Sequence, residues 1–259
     1  MDLLEGMPGG LDVAVRDFAL LTLAGQLAMT FPSQLVFKGG FVLRHAHGVY
    51  RVSTDLDATR HAPAKHKFDS DEVAEAIKGA SIRGVVRFQP KPPATDSARS
   101  LDFDHVDVIG AVLPDSSVQV EVSYREELVD APELATIGAP FYEPFEILTM
   151  TKEEMAAEKL RALAQRLRST DLADLAWLLS ETQDHDDHIA EIAQEKFELV
   201  RTGRENKLTR IESRLAEMAD TYDIEVPLLF PEALSYKEAM TVVTSRLWRL
   251  VPQPHLGSK

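Results

Sequence analysis

The sequence predicts an α+β protein, a mixed β-sheet with flanking helices followed by an α-helical C-terminal domain. Three observations carry this. Apolar periodicity switches repeatedly between helix and strand spacing over the first 80 residues. A hairpin pattern surrounds Pro114-Asp115-Ser116-Ser117. From Lys152 onward the pattern is helical almost throughout.

In chain order, Leu11 to Ala28 has helical spacing, broken at Phe31-Pro32-Ser33. Leu35-Val36-Phe37 reads as a short buried strand, and Lys38-Gly39-Gly40 opens a helix over Phe41–His47 that Gly48 ends. Val49 to Thr59 has strand character, and Ser70 to Lys78 is helical. Arg83 to Phe88 reads as a strand and the proline-rich Gln89 to Ser100 as a loop. Leu101–Leu113 and Val118–Tyr124 form the arms of the hairpin. Thr151 is placed to cap the next helix, with Glu154 three residues on as in a capping box. Pro140 and Pro144 interrupt the chain before it, so the expected division is residues 1–147 and 148–259. Trp177 and Trp248 are expected in the helical core, and Asp184 to His188 in a solvated loop.

The composition narrows the function classes. The chain has 259 residues, enough to bury roughly 70–75% of its unfolded surface. With no cysteine, disulfides, thiolate metal sites and cysteine nucleophiles are excluded, and a reducing cytoplasm fits. The first ten residues, MDLLEGMPGG, lack the basic and then apolar pattern of a signal peptide. Phe18 to Phe31 is interrupted by Thr22, Gly25, Gln26 and Thr30, and reads as a buried helix with no membrane association. A net charge of −14 argues against nonspecific nucleic-acid binding. The basic residues are clustered, however. Lys38, Arg44, Arg51, Arg60, Lys65 and Lys67 stand against only Asp55 and Asp57, and Lys159 to Arg168 contains no acid. Both regions would attract a polyanion.

The chemistry concentrates in Arg51-Val52-Ser53-Thr54-Asp55-Leu56-Asp57. On an extended strand residues two apart share a face, so Asp55 and Asp57 present paired carboxylates while Leu56 packs behind them. Like charges so placed repel unless they share a divalent cation, and Mg²⁺ suits an all-oxygen donor set. Upstream, Gly39-Gly40 at a strand-to-helix turn lets backbone amides approach a phosphate closely. On the hairpin arm Val118–Tyr124, Glu121 shares a face with Gln119 and Ser123 while Val118, Val120 and Val122 face inward, and Asp104 and Asp107 lie in the opposite arm. In the helical half, Lys152, Lys159 and Arg166 are spaced by seven and line one stripe, beside an apolar stripe of Leu160, Leu163 and Leu167. Asp171 and Asp174 fall in the first turns of the following helix, where acids also suit the dipole. His45 and His47 read as structural.

These segments resemble the DNA-polymerase-β-like nucleotidyltransferases and, within them, the AbiEii toxin family. The resemblance lies in Phe37-Lys38-Gly39-Gly40, Leu43-Arg44 and Arg51-x-Ser53-x-Asp55-Leu56-Asp57. It continues in Glu158-Lys159-Leu160-Arg161-Ala162-Leu163, Arg166 and Asp171-Leu172-x-Asp174-Leu175. It implies a nucleotidyltransferase sheet and transfer of a nucleotide from an NTP, a pyrimidine one, to the 3′ end of tRNA or a related RNA. That transfer would block translation, with a cognate antitoxin as partner. By the same resemblance Lys38, Gly39, Gly40, Ser53, Arg166 and Asp171 contact the nucleotide, and Asp55 and Asp57 hold Mg²⁺ together with a third carboxylate on a neighbouring strand, for which Glu121 is the best candidate and Asp104 and Asp107 are weaker rivals. Asp55, Asp57, Lys159 and Asp174 carry the chemistry, Asp174 either orienting Lys159 or serving as a base. A small-molecule or protein hydroxyl is the alternative acceptor, and a catalytically silent NTP-binding protein is the second alternative.

Overall fold

The computed structural model describes residues 10–61, 70–82, 86–90, 100–105, 117–123, 127–139, 142–198 and 207–251. The chain divides into two compact units, one of residues 1–128 and 132–150, the other of 129–131 and 151–259.

In the first unit the long helix α1 (Gly10–Thr30) leads to strand β1 (Leu35–Lys38), helix α2 (Gly39–His45), strand β2 (Asp55–Arg60) and helix α3 (Ser70–Lys78). Strands β3 (Ser81–Ile82), β4 (Val86–Pro90), β5 (Ser100–His105), β6 (Ser117–Ser123), β7 (Glu133–Ala139) and β8 (Tyr142–Thr149) follow. Among the described residues they form one sheet in the order β3-β4-β5-β6-β2-β1-β8-β7. It is mixed: β2 runs parallel to β6 and β1 parallel to β8, while β1 and β2 are antiparallel. Leu35, Val36, Phe37, Leu56, Val118, Val120 and Val122 are buried at its centre. α1 is long and apolar enough, by composition, to cross a bilayer, but here it buries Leu20, Leu21, Leu23, Ala24 and Leu27 within this unit.

One expectation changes: Val49 to Ser53 is not a strand. Its amides bond locally, Val49 N–H to the Leu43 carbonyl at 3.0 Å and Arg51 N–H to that of Val49 at 2.7 Å, so the ladder starts only at Asp55. Pro144 stands within β8, which pairs antiparallel with β7. Pro144 is accommodated where the register shifts between Ile137 and Ala139, beyond the part of β8 that pairs with β1. Asp107 lies outside the described residues.

The second unit holds α4 (Lys152–Gln165), α5 (Ser169–Glu181), α6 (Asp186–Glu198), α7 (Lys207–Glu217), α8 (Tyr222–Leu229) and α9 (Tyr236–Leu250). α4 packs against α5, α6 and α7, and α5 against α8 and α9. Leu160, Leu163, Leu172, Leu175, Ile192, Phe197, Ile211, Val243 and Leu247 fill its core. Leu167 lies beyond the end of α4 and Trp248 faces outward, 62% exposed, so neither packs as the apolar spacing suggested. The expected Asp184–His188 loop is cut short because α6 begins at Asp186. The Asp186 carboxylate accepts from Arg246 at 2.5 Å, and the same guanidinium donates to the Thr182 carbonyl at 2.8 Å.

Thr151 caps α4, its hydroxyl accepting from Glu154 N–H at 3.2 Å. The Glu154 side chain does not complete the box. It accepts the amide protons of Val129 and Asp130, both at 3.0 Å, and meets the ammonium of Lys196 at 2.5 Å. Glu154 and Lys196 are each 1% exposed, so a buried ion pair ties the 129–131 segment into the helical unit.

Candidate active site

Asp55 opens β2 and Asp57 follows two residues on. In the parallel register with β6 they stand beside Gln119 and Glu121, with Leu56 and Val120 buried behind. The period-2 rule thus puts Asp55, Asp57 and Glu121 on one polar face of the sheet. Asp104, on β5, pairs with Ser117 at the far end of β6. Among the described residues no three carboxylates or histidines are gathered closely enough to enclose an ion by themselves.

The glycines have distinct tasks. Gly39 takes a left-handed φ of +72°, and a Cβ built there would sit 2.5 Å from Asp57 Oδ2. The antiparallel register explains this, since Lys38 is the partner of Asp57 and the chain turns at the next residue. Glycine here lets the Asp57 carboxylate lie against the backbone. Gly40 has an ordinary backbone, but a Cβ there would stand 3.0 Å from Ser53 Oγ and 3.6 Å from the guanidinium carbon of Arg51. Ser53 is buried and its hydroxyl donates to the Asp55 carbonyl at 2.8 Å. That hydroxyl proton is therefore spent on the backbone. α2 is only seven residues long, so side chains, more than a helix dipole, shape the space above the turn.

Arg51, read from the sequence only as one member of a basic cluster and of the motif, comes with Ser53 to stand over Gly40. Arg44 is engaged elsewhere, by Asp17 of α1 at 2.9 Å. His45 also binds Asp17, at 3.0 Å, and its ring packs 4.8 Å from that of Phe41, a structural role as expected.

The second unit gathers Lys159, Arg166, Asp171 and Asp174. Lys159 Nζ donates to Asp171 Oδ1 at 2.9 Å and to Asp174 Oδ2 at 2.8 Å. Arg166 grips Asp171 with two bonds, Nε to Oδ2 at 2.7 Å and Nη2 to Oδ1 at 3.1 Å. Arg166 reaches this position as the extended C-cap of α4, so it leaves the expected basic stripe. Lys152 departs too, binding Glu181 at 3.1 Å and lying over the Trp177 ring. Burial would lower the Lys159 pKa, but the charges of Asp174 and Asp171 outweigh it and hold the ammonium well above an ordinary lysine. Burial would raise the Asp171 pKa, but Lys159 and then Arg166 outweigh it and hold the carboxyl far below its usual range. Lys159 is thus a permanent cation, two of its three protons fixed by aspartates.

The depressed Asp171 pKa sets the sign of a pH dependence. Its stabilisation is fully present above the unfolded carboxylate value near 4 and is lost as pH falls below it toward the folded value. Asp171→Asn should therefore cost about 2–3 kcal/mol near neutral pH, and the gap from wild type should shrink steadily below about pH 4. Urea unfolding followed by circular dichroism across that range measures it.

Comparison with known proteins names the fold carrying these clusters. Residues 23–241 match the family described as nucleotidyl transferase AbiEii toxin, type IV toxin–antitoxin system. The chain belongs to the AbiEii family. It is a nucleotidyltransferase of the toxin type, and a type IV system implies an antitoxin counterpart. Among solved structures it is similar to MenT4, the nucleotidyltransferase toxin Rv2826c from Mycobacterium tuberculosis H37Rv. They share 20% identity over 92% of this chain and 84% of that one, with a TM-score of 0.64. JHP933 from Helicobacter pylori is 17% identical, covers 93% of each chain, and has a TM-score of 0.57. At those identities the likeness concerns the AbiEii fold alone. No curated protein matches the chain.

Proposed function

We propose that this AbiEii-family chain moves a nucleotide from a pyrimidine NTP, with Mg²⁺, onto the 3′ end of tRNA or a related RNA in the cytoplasm, blocking translation until its antitoxin intervenes. The observation that carries the reading is the Gly39 turn, shaped so that the Asp57 carboxylate lies against it beside Asp55. The donor chemistry fits Mg²⁺, which is commonly held by one or two carboxylates with substrate phosphates and water completing the shell. Asp55 and Asp57 would hold it, with Glu121 beside Asp57 as the third carboxylate. When bound, Mg²⁺ supplies positive charge to the leaving pyrophosphate and acidifies the attacking hydroxyl.

The chain's own residues do the rest. Lys38, Gly39, Gly40 and Ser53 form the donor-nucleotide turn, Ser53 by bracing the Asp55 backbone. Lys159, held protonated, presents its remaining N–H to a substrate phosphate, with Arg166 and Asp171 completing that nucleotide contact. Asp174, wholly buried and 2.8 Å from Lys159, orients the ammonium in preference to acting as a base. A net charge of −14 favours the second reading, a small-molecule or protein hydroxyl as acceptor.

The test is incubation of the protein and its Asp57→Ala variant with each labelled NTP, Mg²⁺ and total tRNA, resolved on a denaturing gel. Label is expected on tRNA from one pyrimidine NTP, and only with Asp57 intact. NTP binding without label on RNA would move the acceptor to the small-molecule or protein class.

A further inference from the structure

Arg44, one of the basic residues that flank the paired carboxylates, finds its counter-charge on another element. Asp17 of α1 accepts from Arg44 Nε at 2.9 Å and from Nη2 at 3.3 Å, a bidentate grip, and also meets His45 Nε2 at 3.0 Å. The Arg44 and Asp17 side chains are 12% and 14% exposed, so salt and water screen the pair weakly. Arg44 and His45 lie in the last turn of α2, whose first residues are Gly39 and Gly40. Asp17 therefore fastens the far end of the helix that begins at the glycine turn.

A wall of the site hangs on that end. Residues 46–54 belong to no strand. Val49 N–H donates to the Leu43 carbonyl at 3.0 Å, and the Arg44 guanidinium lies over the Tyr50 ring, 5.7 Å from its centroid. The same loop carries Ser53, whose Oγ would stand 3.0 Å from a Cβ on Gly40 and donates to the Asp55 carbonyl at 2.8 Å. Contacts thus run from Asp17 through Arg44 and its loop to Ser53 and the backbone of Asp55. Burial of Phe41, Val42 and Leu43 sets how deep α2 sits, but apolar packing is non-directional. A bidentate ion pair fixes a direction as well.

We propose that Asp17 is a positioning residue for nucleotide transfer: through Arg44 it holds the end of α2 and the loop hung on it, so that Ser53 walls the donor site over Gly40. This rests on the NTP-donor reading above. Arg44 is then an anchor of the site, not one of its phosphate ligands.

The sign of the effect separates this role from plain electrostatics. Asp17→Asn removes a negative charge and releases Arg44 and His45, so charge alone predicts tighter binding of a triphosphate. Positioning predicts weaker binding. A merely structural role lowers the melting temperature and leaves the affinity of the folded protein unchanged.

The experiment is equilibrium binding of each NTP with Mg²⁺ to wild type, Asp17→Asn, Arg44→Lys, the double variant and Asp57→Ala, with thermal unfolding of each free protein to establish that it is folded at the temperature of measurement. Asp17→Asn is expected to weaken NTP binding about 10-fold. Arg44→Lys, which keeps the charge and loses the fork, should weaken it by a smaller factor, and the double variant should lose no more than Asp17→Asn, since both changes act through one contact. Unchanged or tighter binding by folded Asp17→Asn, or losses that multiply in the double variant, would overturn the assignment. Should Asp17→Asn not fold, Arg44→Lys decides, and wild-type affinity there overturns it. If Asp57→Ala binds NTP as wild type does, or wild type binds none, the donor reading itself fails. Weakened binding by Asp57→Ala beside unchanged binding by Asp17→Asn removes only the role of Asp17.

Discussion

Gly39→Ala is expected to cost nucleotidyl transfer at least about a hundredfold, as much as Asp57→Asn, although it removes no functional group. The reason is local. At φ +72° an L-residue is strained by about 1–2 kcal/mol, and its Cβ would lie 2.5 Å from Asp57 Oδ2, closer than non-bonded atoms approach. The strand cannot give way, because Lys38 and Asp57 are register partners and Leu56 and Ala58 are buried on either side of Asp57. The carboxylate must rotate away, and the metal position goes with it. Stability should fall by about 1–3 kcal/mol, so the protein stays folded for assay. The check compares kcat for labelled-nucleotide transfer and the Mg²⁺ concentration at half-maximal rate in wild type, Gly39→Ala and Asp57→Asn. A Gly39→Ala protein with wild-type kcat would show that Asp57 need not lie against the turn.

Glu154→Ala should give the largest loss of stability, about 3–5 kcal/mol. It removes the nearer carboxylate of the Lys196 ammonium, 1% exposed, Glu158 standing farther off at 3.8 Å, and it strands the amides of Val129 and Asp130 without their acceptor. Both tryptophans of the chain, Trp177 and Trp248, lie in the helical unit, so their fluorescence during urea unfolding reports that unit separately. The double change Glu154→Gln with Lys196→Met should recover most of the loss. It keeps an oxygen for the amides and removes the buried charge. No recovery would mean that the carboxylate, more than the pairing, holds the segment.

Much of the donor site is legible in the sequence because its logic is local. Asp55 and Asp57 share a face by the two-residue period of a strand, and Gly39-Gly40 announces a turn that a side chain would obstruct. Thr151 is recognisable as a cap for the same reason, as its hydroxyl reaches an amide three residues away. The partner of Glu154 was not legible. A capping box predicts a reciprocal local bond, yet Lys196, 42 residues on, and the amides of 129–131 compete for that carboxylate and win by burial. The strand character of β8 was hidden by Pro144, because a proline within a strand is tolerated where the ladder is irregular, and the register shift opposite it is visible only once β7 and β8 are paired.

What the sequence by itself determined, then, is the succession of helix and strand from α1 to α3, the paired carboxylates on one strand face and the chemistry they invite, all set by spacings of two to four residues. Tertiary structure decided the rest. Arg166 leaves its helix to grip Asp171, Lys159 is locked between two aspartates of the next helix, and Arg51 comes to stand over Gly40. A buried charge takes whichever counter-charge or dipole the packed fold brings within about 3 Å, and that depends on how helices and strands meet, which residue spacing alone does not encode.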